Sequence, residues 1–143
     1  MLFKTILYGT EEYAQTLALR NRVMRIPLGR SIYDEDFRCE AESDILGAFS
    51  GGDLLGVCVM SCKEGIYKIE YLCVQTEKQK TGIGRRLLGR MEERAKSRGA
   101  GEMLLDARVS AQGFYEACGY SPYGEEFLMT IAPVPHIKMK KEL

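Results

Sequence analysis

The spacing of apolar residues changes period several times along the chain, and each change marks an element. A short apolar run, Phe3 to Tyr8, reads as an opening strand. After the turn signal Gly9-Thr10, Tyr13, Leu17 and Val23 or Met24 recur at helical spacing, predicting a helix from Glu11 that stops before Pro27. The polar segment 27–43 contains Pro27 and Gly29 and keeps no period, as expected of a loop or a broken second helix. Two β-rich runs follow, Asp44 to Ser50 and Asp53 to Cys62, separated by Gly51-Gly52. Both glycines accept the positive φ of a two-residue hairpin turn, so the runs should pair antiparallel. A further turn at Lys63-Glu64-Gly65 leads into Tyr67 to Val74 and makes a three-strand meander.

The period then becomes helical. Ile83, Leu87, Leu88, Met91 and Ala95 fall on one face, with Arg85, Arg86, Arg90, Glu93 and Arg94 mostly on the other, and the helix ends at Arg98-Gly99. Glu102 to Ala107 reads as a buried strand. A strand, helix and strand at this spacing form a right-handed crossover, which sets Met103 to Ala107 parallel to a strand of the meander. A short helix from Ser110 to Ala117 ends at Gly119, and Glu125 to Ile131 and Pro135 to Lys140 read as two more strands. The expected fold is α+β, a three-layer arrangement in which helices flank a mixed, mostly antiparallel central sheet. It is expected to form one domain over residues 1–143.

Composition narrows the function classes. Twenty Lys plus Arg balance twenty Asp plus Glu, so the chain as a whole has no field to hold nucleic acid or an anionic membrane. No apolar run approaches the roughly 20 residues of a membrane span, and the start MLFKTILYGTEEY lacks the regions of a signal peptide, so a cytoplasmic protein is expected. Five cysteines without a CxxC pair, four of them in apolar or strand-like stretches, read as buried free thiols. With a single histidine, His136, and no paired metal-ligand spacing, no metal site is expected. His136 itself, in the strand-like VPHIKMK, reads as a packed or hydrogen-bonded structural residue, the alternative being a partner for a cysteine nucleophile.

Charge is nevertheless concentrated in one place. From Glu77 to Arg98 there are eight Lys or Arg against three Glu. The same stretch opens with QTEKQKTGIGRRLL, a glycine-containing turn between a strand and a helix. Unpaired first-turn N–H groups, the helix dipole and glycines that admit close approach make such a turn suited to a phosphate; the bland alternative is a solvated helix face. A Walker loop needs GxxxxGK[ST], which is absent, and a dinucleotide fingerprint needs a small residue where this chain has Leu87.

Gln79-x-x-Gly82-x-Gly84, after the strand IEYLCV, resembles the acyl-CoA signature of the GNAT superfamily of N-acetyltransferases. Downstream, Ala111-x-x-Phe114-Tyr115-Glu116-x-x-Gly119-Tyr120 is similar to that family's second stretch, and PYGEEF followed by PHIKMKK resembles the tail of small bacterial members. The resemblance implies acetyl-CoA as cosubstrate. Its pyrophosphate would lie on the amides of Gln79, Lys80, Thr81, Gly82, Ile83, Gly84 and Arg85, with Lys80 and Arg85 assisting, and its pantetheine arm against backbone groups of Leu72, Cys73 and Val74. Ala111, Phe114 and Tyr115 would also belong to the cofactor site, Phe114 mainly as a packing residue. Tyr115 matches the tyrosine that protonates the departing thiolate. Glu70 is the candidate base, placed by strand alternation on the face of Leu72 and Val74. Arg108 stands where the family often has an asparagine that contacts the cofactor arm.

On this reading the protein moves acetyl to a primary amine, more plausibly of a small metabolite than of a protein. A CoA-binding regulatory module without turnover and a basic nucleic-acid-binding domain are the competing classes. The arginines and acids of 20–42 are expected to be solvated surface charge, with recognition of a carboxylate or amine as the alternative. Exposed edge strands at the C-terminal end make a homodimer plausible.

Overall fold

A computed structural model describes residues 1–143. In it, β1 (Leu2–Thr5) is followed by α1 (Glu11–Met24), then β2 (Asp44–Ser50), β3 (Asp53–Lys63) and β4 (Ile66–Val74). Next come α2 (Ile83–Ser97), β5 (Glu102–Arg108), α3 (Gln112–Ala117), β6 (Ser121–Leu128) and β7 (Pro135–Glu142). The seven strands form one sheet in the order β1-β2-β3-β4-β5-β7-β6, antiparallel except where β5 lies parallel to β4. The crossover and the three-layer α+β class expected from the sequence are both present.

Alternation along β3 explains the layers. Val57 and Val59 pack with Tyr13 and Leu19 of α1 on one face, while Cys58 and Met60 pack with Leu87, Leu88 and Met91 of α2 on the other. The five apolar positions of the α2 stripe are all buried, and the Arg98-Gly99 end closes with Gly99 at φ 91° and the Ala100 N–H on the Ala95 carbonyl. At the other helix start, the Thr10 hydroxyl accepts the Tyr13 N–H and caps α1.

Four sequence expectations change. The opening strand ends at Thr5, with one more bond from the Ile6 N–H to the Ile45 carbonyl before the chain turns. β6 begins at Ser121, well before Glu125, and ends at Leu128. It is an edge strand, which tolerates Pro122, and its ladder slips between Tyr123 and Phe127 around Gly124 at φ 82°. Of the cysteines, Cys58 and Cys73 are buried, but Cys62, at the end of β3, is exposed, as is Cys39. No helix is long and apolar enough to cross a membrane.

The fourth concerns residues 26–42, which form three short 3-10 turns held by buried charge rather than solvated charge. Arg20 is fully buried and grips Glu40 through two hydrogen bonds of 2.8 and 2.9 Å, and Glu40 also accepts the Tyr13 hydroxyl at 2.7 Å. Arg25, likewise buried, meets Glu35 at 2.7 Å and the Tyr71 hydroxyl at 3.0 Å. A segment with few apolar residues cannot be anchored by a hydrophobic stripe, so these side chains do it with paired, hydrogen-bonded ions.

Candidate active site

β4 and β5 face each other at only two positions, Lys68 with Leu104 and Ile69 with Leu105. Beyond Ile69 the strands part. One edge of residues 70–74 is left without a neighbouring strand, and a cleft of about 210 Å³ opens between the two halves of the sheet. Glu70, Leu72, Arg108, Ala111, Tyr115 and His136 all line it.

α2 starts a short loop beyond the free end of β4. Gly82 caps it at φ 91°, Lys80 just before has φ 63°, and no side chain bonds to the first-turn N–H groups. Those amides remain free for an anion. A Cβ on Gly82 would meet nothing within 4 Å, so the loop has open room in front of it. Gln79 turns back and donates to the Val74 carbonyl at 3.2 Å, fastening the loop to the free end of β4. A Cβ on Gly84 would lie 3.4 Å from Phe114 and 3.6 Å from Val74, so β4, the loop and α3 meet at this glycine. Lys80 is exposed, and Arg85 reaches the Ala117 carbonyl at 3.4 Å. Gln79 and Gly84 thus tie the loop to Val74 and Phe114, while none of residues 79–85 lines the 210 Å³ cavity itself.

Tyr115 projects from α3 into the core beside α2 and is one of the residues lining the cleft. Its ring stands edge-on to Phe114 and Tyr120, centroids 5.1 and 5.9 Å away. Its hydroxyl has no hydrogen-bond partner and is not sealed from solvent. Burial pushes its pKa well above that of free tyrosine, with nearby cysteine thiols adding to the shift, so it holds its proton. Cys73 points away, into the core under α1, where burial pushes its thiol up to about 12; only its backbone is on the open edge.

The sequence-based placement of Glu70 needs correction. Tyr67 and Ile69 face α2, and so do Leu72 and Val74, whereas Tyr71 and Cys73 face α1. Alternation is therefore broken between Ile69 and Leu72, where the ladder with β3 slips: Met60 pairs with Ile69 and Val59 with Tyr71, leaving Glu70 unpaired in a bulge. Glu70 accordingly lies on the α1 side, opposite the face of Leu72 and Val74. Its carboxylate accepts the Ser61 hydroxyl at 2.9 Å and lies 3.8 Å from the Lys68 ammonium.

Two cleft residues were not assigned to the site from the sequence. His136 pairs in register with Arg108, and its Nδ1 lies 2.6 Å from the Val134 carbonyl. Because a carbonyl can only accept, Nδ1 carries the proton and Nε2 keeps its lone pair. Burial lowers the pKa of the imidazole and Arg108 lowers it further, so the ring is neutral at pH 7. The Arg108 guanidinium donates to the Met24 carbonyl at 2.8 Å, at the end of α1. Only the β5–β7 register brings these side chains into the cleft, and neither hydropathy nor spacing reveals which strand pairs with which.

The geometry combines an uncapped helix start, an open strand edge, a protonated phenol on one face of the sheet and a carboxylate on the other. Such a site can hold a phosphorylated cosubstrate extended along β4 and move protons at its reacting end. A family model described as "Acetyltransferase (GNAT) domain" matches residues 28–143. The uncharacterized N-acetyltransferase YjcF of Bacillus subtilis is 29% identical over 103 residues, 72% of this chain and 73% of that protein. Among solved structures, Escherichia coli ElaA superposes with a TM-score of 0.81 at 16% identity, covering 99% of both chains. An aminoglycoside 6'-N-acetyltransferase complexed with coenzyme A superposes with a TM-score of 0.77 at 18% identity, covering 99% of this chain and 97% of that one.

Proposed function

Since the chain belongs to the GNAT acetyltransferase family, we propose that it carries acetyl from acetyl-CoA directly to a primary amine, with no covalent enzyme intermediate. The observation that carries this reading is the parting of β4 from β5 directly beside an uncapped α2 start. That arrangement suits both ends of the cosubstrate. The pyrophosphate rests on the amides of Gln79 to Arg85. The pantetheine arm lies along Leu72, Cys73 and Val74 like an added strand, flanked by Ala111 and Phe114. The coenzyme A in the aminoglycoside acetyltransferase complex supports the same cosubstrate.

Each step has a residue suited to it. The amine nitrogen attacks the thioester carbon, and backbone N–H groups of the open β4 edge stabilise the charge growing on the carbonyl oxygen, worth about 3 kcal/mol per donor. The carbon–sulfur bond breaks, and Tyr115, kept protonated by burial, gives its proton to the departing sulfur. The proton lost by the amine goes to Glu70, directly or through water. The bulge places this carboxylate across the sheet from Tyr115, so acid and base approach the reacting carbon from different sides.

Thermal unfolding with and without acetyl-CoA, with NAD and ATP as controls, tests the cosubstrate. A ligand at a hundred times its dissociation constant adds about 2.7 kcal/mol and raises the midpoint by several degrees. A shift specific to acetyl-CoA, followed by thiol release in a screen of amines, is the expected result. No shift at millimolar acetyl-CoA overturns the reading. A shift without turnover of any amine favours a CoA-binding module.

A further inference from the structure

The cations lining the cleft each meet a carboxylate, with a single exception. Arg25 is held by Glu35, and Lys68 by Asp106 at 3.0 Å. Arg108 has no carboxylate within salt-bridge distance. Its Nη2 donates to the Met24 carbonyl, its Nε is shut off from solvent without any acceptor, and its Nη1 has no partner. Burial and the neighbouring Arg25 both lower its pKa, so the fold holds a cation there at a cost and supplies nothing to balance it.

The face of the sheet decides what would balance it. Met103, Leu105 and Ala107 of β5 point into the core under α2, which puts Leu104, Asp106 and Arg108 on the α1 side. The Met24 contact at the end of α1 agrees, and Glu70 lies on that side too. The proposed pyrophosphate site at the start of α2 and the proposed acid Tyr115 belong to the opposite side, and the pantetheine arm and acetyl group carry no charge. An anion reaching Arg108 therefore comes with the acceptor. With Lys68 held by Asp106 and Arg25 by Glu35, the cleft is left with the Arg108 guanidinium and, on the same side, the Glu70 carboxylate, a pair that suits a molecule bearing one carboxylate and one ammonium better than a phosphate dianion.

Resting on the acetyl-transfer reading above, we infer that the acceptor is an amino acid-like molecule, an amine that also bears a carboxylate, and that Arg108 binds this carboxylate while Glu70 faces the amine. Arg108 is thus a specificity-determining residue, and polycationic amines are disfavoured at this cleft.

The test measures binding rather than turnover. CoA is titrated into the protein first. A panel of N-acetyl-α-, β- and γ-amino acids is then titrated into the CoA-loaded protein beside the matching N-acetyl amines that lack the carboxylate. At least one acid is expected to bind about 10- to 100-fold more tightly than its neutral counterpart, the difference that a hydrogen-bonded charge supplies. Arg108→Gln is expected to bring that ratio near one, and Arg108→Lys, which keeps the charge but not the fork, to leave it in between. Equal binding of acids and neutral partners by the unaltered protein, no binding of any acid, or a preference that survives Arg108→Gln would each overturn the inference. If Arg108→Gln does not fold, the wild-type ratio and Arg108→Lys decide. Failure of CoA itself to bind sinks the acetyl-transfer reading instead, so the two failures are distinct.

Discussion

The rings of Tyr115 and Tyr120 stand edge to face with centroids 5.9 Å apart, yet their hydroxyls have opposite fates. Tyr120 donates to Glu92 at 2.6 Å, while Tyr115 donates to nothing. Two phenols in one cluster thus separate a structural hydroxyl from a free one.

Substituting each tells the roles apart. Tyr115→Phe is expected to lower kcat by about 10²-fold or more, the usual contribution of a positioned acid, with acetyl-CoA binding retained. Tyr120→Phe removes a hydrogen bond to a carboxylate and is expected to cost about 2 kcal/mol of stability with kcat unchanged. Unfolding midpoints and thiol-release kinetics on both variants check this. Equal kcat in wild type and Tyr115→Phe would remove the acid assignment.

The two glycines of the loop should respond differently. Gly82 sits at φ 91°, where a side chain costs about 1–2 kcal/mol, so Gly82→Ala is expected to distort the α2 start and weaken acetyl-CoA binding about tenfold. A Cβ on Gly84 meets Phe114 at ordinary contact distance, 3.4 Å, and Gly84→Ala should bind within about threefold of wild type. Calorimetric titration of acetyl-CoA into both variants measures the contrast.

Glu40 balances a fully buried arginine. Glu40→Gln leaves the Arg20 charge uncompensated and is expected to cost about 3 kcal/mol, lowering the unfolding midpoint by roughly 10 °C. Replacing both partners, Arg20→Met with Glu40→Leu, should recover most of the loss, because no unpaired charge then remains inside. A double variant no more stable than Glu40→Gln would mean that the pair holds residues 26–42 through geometry that apolar residues cannot supply.

Stability should depend on pH through His136. Its folded pKa lies below the ordinary value of 6.5 because burial disfavours the cation. Below 6.5 the unfolded chain takes up a proton that the folded chain does not, so stability is complete above that pH and is lost as pH falls toward the folded value. Asp44, held below its usual range by hydrogen bonds from Arg98, acts only in a more acidic window. His136→Asn should therefore flatten the pH dependence of the unfolding midpoint just below pH 6.5 and leave the steeper acid loss in place.

Elements whose evidence is local were readable in the sequence. The α2 stripe from Ile83 to Ala95 is buried as its spacing indicates, the Gly51-Gly52 turn joins β2 to β3, and the crossover puts β5 parallel to β4. Of the motif residues, Gln79 lies against Val74, and Gly84 against Phe114 and Val74. What escaped depends on contacts distant in the chain. Glu70 changed face because one extra residue in β4 shifts alternation, and a bulge leaves no mark in hydropathy. Arg20 and Arg25 look like surface charge until Glu40 and Glu35 are folded back onto them. Arg108 and His136 enter the cleft only through the pairing of β5 with β7.

The short seam between β4 and β5 also gives the molecule a mechanical character. Four strands on one side and three on the other are joined edge to edge by two residue pairs, with α2 as the connecting rod. That seam holds only two residue pairs where the neighbouring ladders hold many, so a hinge at Lys68 and Ile69 would change the width of the cleft. A molecule wedged along the free edge of β4 would splint that hinge. Amide exchange in residues 70–74 and 105–108 would then slow on loading, while the cores under α1 and α2 would be unaltered.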